Sequence, residues 1–209
     1  MNILIAIPCM DTVPTHFAQS IAMLEKVGNC AISFNMGSLV YTSRNELSAR
    51  AMKMNADYVL WLDSDMVFEP NILKRLFEDM DKGDIVTGLY FRRVPPYSPV
   101  LFSRLRITDE GCEHSNFDGE LPDALFEVEG CGFGCVLMPT RILMDVYAEF
   151  GNMFAPINGV GEDLSFCWRA RQLGYKIVCD PKISLGHVSH HVVNREFSDA
   201  FKGAKKCKQ

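Results

Sequence analysis

Apolar residues in this chain gather into short runs separated by segments of helical spacing. Ile3-Leu4-Ile5-Ala6-Ile7 and Tyr58-Val59-Leu60-Trp61-Leu62 are continuous apolar runs of five, too short for helices and suited to strands buried on both faces. Cys30 to Phe34, Ile85 to Tyr90 and Lys176 to Cys179 predict further strands. Between them, Phe17, Ile21 and Leu24 recur at helical spacing after Pro14, and Leu47, Ala51 and Met54 do so after a candidate cap at Thr42 or Ser43. Leu73, Leu76, Phe77 and Met80 form a third stripe behind Pro70. Strands alternating with helices predict an α/β fold, a Rossmann-like, mostly parallel sheet with helices on both faces.

The second half breaks the alternation. Arg92 to Pro96 reads as a loop, and Val100 to Ile107 as a strand in a small irregular β segment. Thr108 to Pro122 reads as a surface loop or hairpin end. Phe126 to Glu129 and Cys135 to Met138 read as strands around Gly130-Cys131-Gly132-Phe133-Gly134. Leu143, Val146, Tyr147 and Phe150 share one helical face after Pro139. A last helix begins near Glu162 and is capped by Gly174. The absence of repeats or long linkers predicts one domain: residues 1–107 as a nucleotide-binding half, 108–190 as an acceptor-side half and 191–209 as a tail.

Bulk properties narrow the class. With 209 residues, 48% hydrophobic and 22% charged, the chain has the composition of a globular protein. Its net charge of −5 gives no indication of nucleic-acid binding. No apolar run reaches transmembrane length, and the first residues lack a basic signal-peptide region. The eight cysteines are scattered with no C-x-x-C pair, which predicts reduced, structural thiols and a cytoplasmic setting.

Candidate chemistry clusters where strands end, the usual ligand position in open α/β sheets. If Asp63, Ser64 and Asp65 continue the strand, side-chain alternation points both carboxylates to one side, where they suit Mg²⁺ or Mn²⁺ shared with phosphates. They could equally be turn or cap residues before Pro70. Glu162 and Asp163 follow a glycine loop at a helix start, where they offset the helix dipole or supply a general base. His187 is a candidate ligand or a structural histidine, with weaker cases at His190 and His191. Arg44 could meet a phosphate. Phe133 between glycines could be a hairpin tip against a ligand or a tight turn. The lysines of the tail read as a solvated end.

Taken in order, several segments resemble GT-A-fold glycosyltransferases of the family 2-like group. These are Ile3 to Pro8, Ser43-Arg44-Asn45, Trp61 to Asp65, Gly130 to Cys135, and Gly161-Glu162-Asp163-Leu164 onward to Gly174-Tyr175. The resemblance implies metal-dependent transfer of a sugar from a nucleotide-diphospho-sugar, expected to be a UDP-sugar, to an acceptor hydroxyl with inversion. The acceptor itself is left open. It implies that Asp65, with Asp63, and His187 hold Mn²⁺ or Mg²⁺, while Asp63 or Ser64 could instead face the ribose. Pro8 and Asp11 would border base and ribose, Arg44 base or phosphate, and Gly132, Phe133 and Gly134 the sugar and acceptor. Asp163 would be the base, with Glu162 supporting it or contacting the acceptor. A binding module without turnover is one alternative. A nucleotidyltransferase is another, although Cys9-Met10-Asp11-Thr12 lacks the glycine and lysine that it expects after the first strand.

Overall fold

The computed structural model describes residues 1–189 apart from 109, 118 and 119. The tail, with His190, His191 and its lysines, lies outside the described residues. In chain order the elements are β1 (Asn2–Cys9), α1 (Thr15–Met23), β2 (Asn29–Met36), α2 (Val40–Lys53), β3 (Tyr58–Leu62), β4 (Met66–Val67), α3 (Ile72–Glu78) and β5 (Ile85–Leu89). There follow β6 (Leu101–Thr108), β7 (Gly111–Asn116), β8 (Phe126–Val128), β9 (Gly130–Cys131), β10 (Cys135–Pro139), α4 (Thr140–Phe150), α5 (Glu162–Gln172), β11 (Ile177–Ser184) and β12 (Gly186–His187).

The main sheet has seven strands in the order β2-β1-β3-β10-β5-β11-β8. Its two apolar faces follow strand alternation. Leu4, Ala6, Val59 and Trp61 pack with α2, α4 and α5, while Ile3, Ile5, Ile7, Leu60 and Leu62 pack with α1 and α3. Helices therefore cover both faces, and the five-residue runs are strands buried on both sides.

The mostly parallel, Rossmann-like sheet expected from the sequence is not what forms. Pairs β1–β2, β1–β3 and β5–β11 are parallel, but β10 runs antiparallel to both β3 and β5, and β8 antiparallel to β11. The sheet is mixed. The cause is where the chain enters: β10 begins beside the carboxyl end of β3, with Cys135 opposite Leu62, and ends beside its start, with Pro139 opposite Tyr58. Alternation along the sequence reports that strands and helices follow one another, not which way a strand is threaded. β8, β10 and β11 also interleave the second half with the first. A separate sheet, β7-β6-β9, forms the irregular β segment.

Two local expectations also shift. No side chain caps α2: Leu39 precedes it, and the Ser43 hydroxyl instead meets Asn35 and Ser38. The β3 strand stops at Leu62, and Met66 N–H closes a turn onto the Asp63 carbonyl at 3.2 Å. All seven described cysteines are free thiols. Burial pushes the Cys135 thiol up to about 12, so it stays protonated and inert. Among the described residues, no helix is long and apolar enough to cross a membrane.

Gly132 and Gly134 lie against the Tyr90 ring, which is 5% exposed. A methyl group at Gly132 would overlap the Tyr90 hydroxyl and come within 2.7 Å of Val100 Cγ1. Gly132→Ala should therefore lower unfolding stability by about 1–3 kcal/mol, the usual cost of overpacking. Urea denaturation monitored by circular dichroism would measure it, and an unchanged midpoint would contradict this packing.

Candidate functional site

The carboxyl ends of β1 and β3 and the start of α5 open onto one cleft of about 540 Å³, with β12 and the segment after β5 completing it. The cleft draws together eight of the residues singled out in the sequence. Pro8 comes from β1, Arg44 from α2, Asp63, Ser64 and Asp65 from the turn after β3, Glu162 and Asp163 from the first turn of α5, and His187 from β12.

Four others fall outside the lining. Asp11 is exposed beyond the Cys9–Met10 edge. Phe133 is no hairpin tip against a ligand: it is 1% exposed and packs between Trp61, Phe154 and Phe166 at centroid distances of 5.3–6.0 Å. Gly132 and Gly134 make room for Tyr90, whose hydroxyl accepts a hydrogen bond from Gly134 N–H at 3.1 Å.

Because the chain turns after Leu62, the two aspartates do not share a side. Asp63 Oδ1 accepts from Arg44 Nη2 at 2.8 Å, whereas Asp65 Oδ2 faces Arg93 Nη1 at 2.9 Å and His187 Nε2 at 3.4 Å. The alternation rule holds only while the backbone stays extended. Burial works against the Asp65 anion, but the hydrogen bond and charge of His187 and the charge of Arg93 outweigh it and lower its pKa. His187 responds in kind. Burial disfavours its cation, while Asp65 and the Phe91 carbonyl raise its pKa overall.

Arg44 is 2% exposed and holds two carboxylates at once, Asp63 through Nη2 and Glu162 Oε1 through Nε at 3.2 Å. Its guanidinium carbon lies 5.7 Å from the Trp61 ring centre and 5.2 Å from that of Phe133. Burial opposes the charge, but Asp63, Glu162 and Asp163 more than compensate and raise its pKa. Nη1 has no hydrogen-bond partner among the described residues. Arg44 thus reads as a bracket for the acidic residues.

Asp163 is the perturbed member. Burial, reinforced by the neighbouring Glu162 charge, pushes its carboxyl up to about 6, against the opposing Leu164 N–H hydrogen bond and Arg44 charge. It borders the cleft and makes no ion pair among the described residues. A carboxylate with that pKa, open to a cleft, has the basicity of a general base near neutral pH.

The divalent cation implied by the family resemblance can be tested against these groups. Among the described residues, no three metal-ligating side chains cluster. Asp63 stands apart because the buried Arg44 takes its carboxylate, whereas the Arg93 that pairs with Asp65 is half exposed. Asp65 and His187 do converge, and the Phe91 carbonyl, 2.8 Å from Nδ1, can only accept; Nδ1 therefore donates and Nε2 faces Asp65. One carboxylate and one imidazole, completed by phosphate oxygens and water, fit Mg²⁺ or Mn²⁺.

Arg92 and Arg93 also line the cleft, although the Arg92 to Pro96 sequence by itself predicts only a loop. The available signal was two adjacent cations directly after a buried strand, on the same sheet end as the acidic motifs.

Two stability effects follow. Arg44→Leu should lose about 3 kcal/mol, the low end for breaking a buried pair since Asp63 keeps some solvent. Denaturant unfolding would measure it, and a neutral result would show that the bracket carries no weight. For Asp163 the sign is opposite. Its folded pKa is raised, so its ionised form destabilises the fold as pH climbs from its ordinary value of 3.8 through about 6. Asp163→Asn should raise the melting temperature at pH 7.5 and leave it nearly unchanged at pH 4. Equal shifts at both pH values would contradict the raised pKa.

No family model matches the chain, and no curated protein sequence is similar to it. Among solved structures, the crystal structure of A197 from STIV resembles it with a TM-score of 0.61 and 18% identity, over 93% of this chain and 97% of that one. At that identity the likeness speaks to the fold alone.

Proposed function

We propose that the protein transfers a sugar from a nucleotide-diphospho-sugar, a UDP-sugar being the first candidate, to an acceptor hydroxyl. The observation that carries this reading is one cleft holding both a carboxylate raised to about 6, Asp163, and the converging pair Asp65 and His187. Deprotonating an acceptor calls for the first, and anchoring a diphosphate calls for the second. The resemblance of the ordered motifs to family 2-like glycosyltransferases supports the same division of roles.

In this reaction the acceptor hydroxyl gives its proton to Asp163 as its oxygen bonds to the anomeric carbon. The bond from that carbon to the diphosphate breaks, and its electron pair leaves with the nucleoside diphosphate. Direct displacement by one activated hydroxyl inverts the anomeric centre. Asp65 and His187 would hold Mn²⁺ or Mg²⁺, which when bound offsets charge on the leaving diphosphate. Arg92 and Arg93, also at the cleft, offer guanidinium donors to phosphate oxygens. Arg44 holds Asp63 and Glu162 in place, so Glu162 supports the site through Arg44.

Donor turnover, followed as nucleoside diphosphate release across UDP-sugars, should require Mn²⁺ or Mg²⁺ and stop on chelation. Asp163→Asn and Asp65→Ala should each lower kcat/KM by about 10²-fold or more, typical for removing an acid–base group. The wild-type rate should rise with pH through about 6 as Asp163 ionises, and that limb should vanish in Asp163→Asn. Full activity in both variants would sink the reading.

A further inference from the structure

We propose that Arg93 is a latch on Asp65: its guanidinium withholds the Asp65 oxygen from a bare divalent cation and releases it when a diphosphate offers oxygens in exchange. The contact is direct. Arg93 Nη1 lies 2.9 Å from Asp65 Oδ2, the same oxygen that stands 3.4 Å from His187 Nε2. The two groups suited to hold Mn²⁺ or Mg²⁺ therefore meet at an oxygen that already has a cation against it. A divalent charge brought to that oxygen beside the guanidinium meets like-charge repulsion at short range.

Arg93 reaches the site from the segment between β5 and β6. Arg92 N–H donates to the Ser98 carbonyl at 3.0 Å and Tyr97 N–H to the Val94 carbonyl at 2.9 Å, so the segment doubles back on itself. Its base is fastened to the body. Val100 N–H donates to the Tyr90 carbonyl at 3.0 Å, His187 Nδ1 meets the Phe91 carbonyl at 2.8 Å, and Arg92 Nη2 donates to Asn116 Oδ1 at 3.0 Å. Residues 92–97 are exposed, and the Arg93 side chain ties this projecting stretch to the turn after β3.

The two arginine brackets of the cleft differ in what holds them. Arg44 is 2% exposed and bound to both Asp63 and Glu162, and breaking such a buried pair is costly. The Arg93 side chain is 50% exposed, and an ion pair in contact with water contributes little. Asp65 can therefore change partners where Asp63 cannot. Diphosphate oxygens suit the exchange, because a guanidinium takes them through charge-assisted, bidentate hydrogen bonds. Arg93 lines the same cleft as Asp65 and His187, so the exchange stays within one opening. The latch thus couples the two ligands: diphosphate that draws Arg93 away frees Asp65 for a cation, and the effect is reciprocal. The diphosphate is taken from the transferase reading, while the competition for Asp65 rests on the contact itself.

Mn²⁺ binding to the full chain, followed by electron paramagnetic resonance of the free ion, tests the latch without turnover. Without nucleotide, Arg93→Ala should bind Mn²⁺ about fivefold tighter than the wild type, the scale of one exposed ion pair. At saturating Mn²⁺, calorimetry should show the same variant binding UDP about fivefold more weakly. Arg93→Lys should return both affinities toward the wild type, and adding Asp65→Ala to Arg93→Ala should abolish the gain in Mn²⁺ affinity. Arg92→Ala removes the neighbouring charge but keeps the Asp65 contact, so its Mn²⁺ affinity should stay within about twofold of the wild type. Circular dichroism melts of each variant check that the fold survives. Unchanged Mn²⁺ affinity in Arg93→Ala, or equal tightening in Arg92→Ala, would overturn the latch and leave the transferase reading standing. No Mn²⁺ binding by either the wild type or Arg93→Ala, even with UDP, would remove both. Tightening in Arg93→Ala without any donor turnover in the wild type would remove the transferase reading alone.

Discussion

Arg44 is the constraint around which the site is arranged. Three segments distant in sequence meet at its guanidinium: α2, which carries it; the turn after β3, which brings Asp63; and α5, which brings Glu162. A buried cation is costly unless it is paired. Two carboxylates and two flanking aromatic rings offset that cost. The same pairing engages Asp63 and Glu162, whereas Asp65 faces Arg93 and His187 and Asp163 makes no ion pair among the described residues. Each carboxylate motif thus gives one member to Arg44 and keeps the other clear of it.

The threading of β10 serves the same end of the sheet. Its first residue, Cys135, pairs with Leu62, and Asp63 N–H reaches the Gly134 carbonyl at 3.2 Å. The turn that presents Asp63 and Asp65 is therefore pinned by the loop that leads into β10. The glycines of that loop admit Tyr90, whose ring meets His187 edge-on at 5.6 Å. Packing behind the cleft and geometry inside it are thus a single arrangement. Asp163 differs from Arg44: burial raises its proton affinity, and it makes no ion pair among the described residues.

Much of this was legible without coordinates. The apolar runs at Ile3 to Ile7 and Tyr58 to Leu62 specify strands buried on both faces, because five consecutive apolar side chains must satisfy both sides of a sheet. The stripes at Phe17, Leu47 and Leu73 specify helices that cover those faces. The ends of these strands and the start of α5 marked the acidic residues that do line the cleft. Misreadings arose where local sequence underdetermines the backbone. Asp63 and Asp65 fit an extended pair and a turn equally well, and Gly-Phe-Gly fits both an exposed tip and a core turn.

The sequence by itself determined element types, the covered faces of the sheet and the acidic residues at its carboxyl end. These depend on periodicity and residue chemistry, which are local. Tertiary structure decided that β10 runs antiparallel, that Arg44 captures Asp63 and Glu162, that His187 meets Asp65, and that Phe133 belongs to the core. It also brought Arg92 and Arg93 to the cleft. Each of these outcomes depends on which distant segments come into contact, and strand direction and side-chain pairing across the sheet leave no periodic trace in the chain.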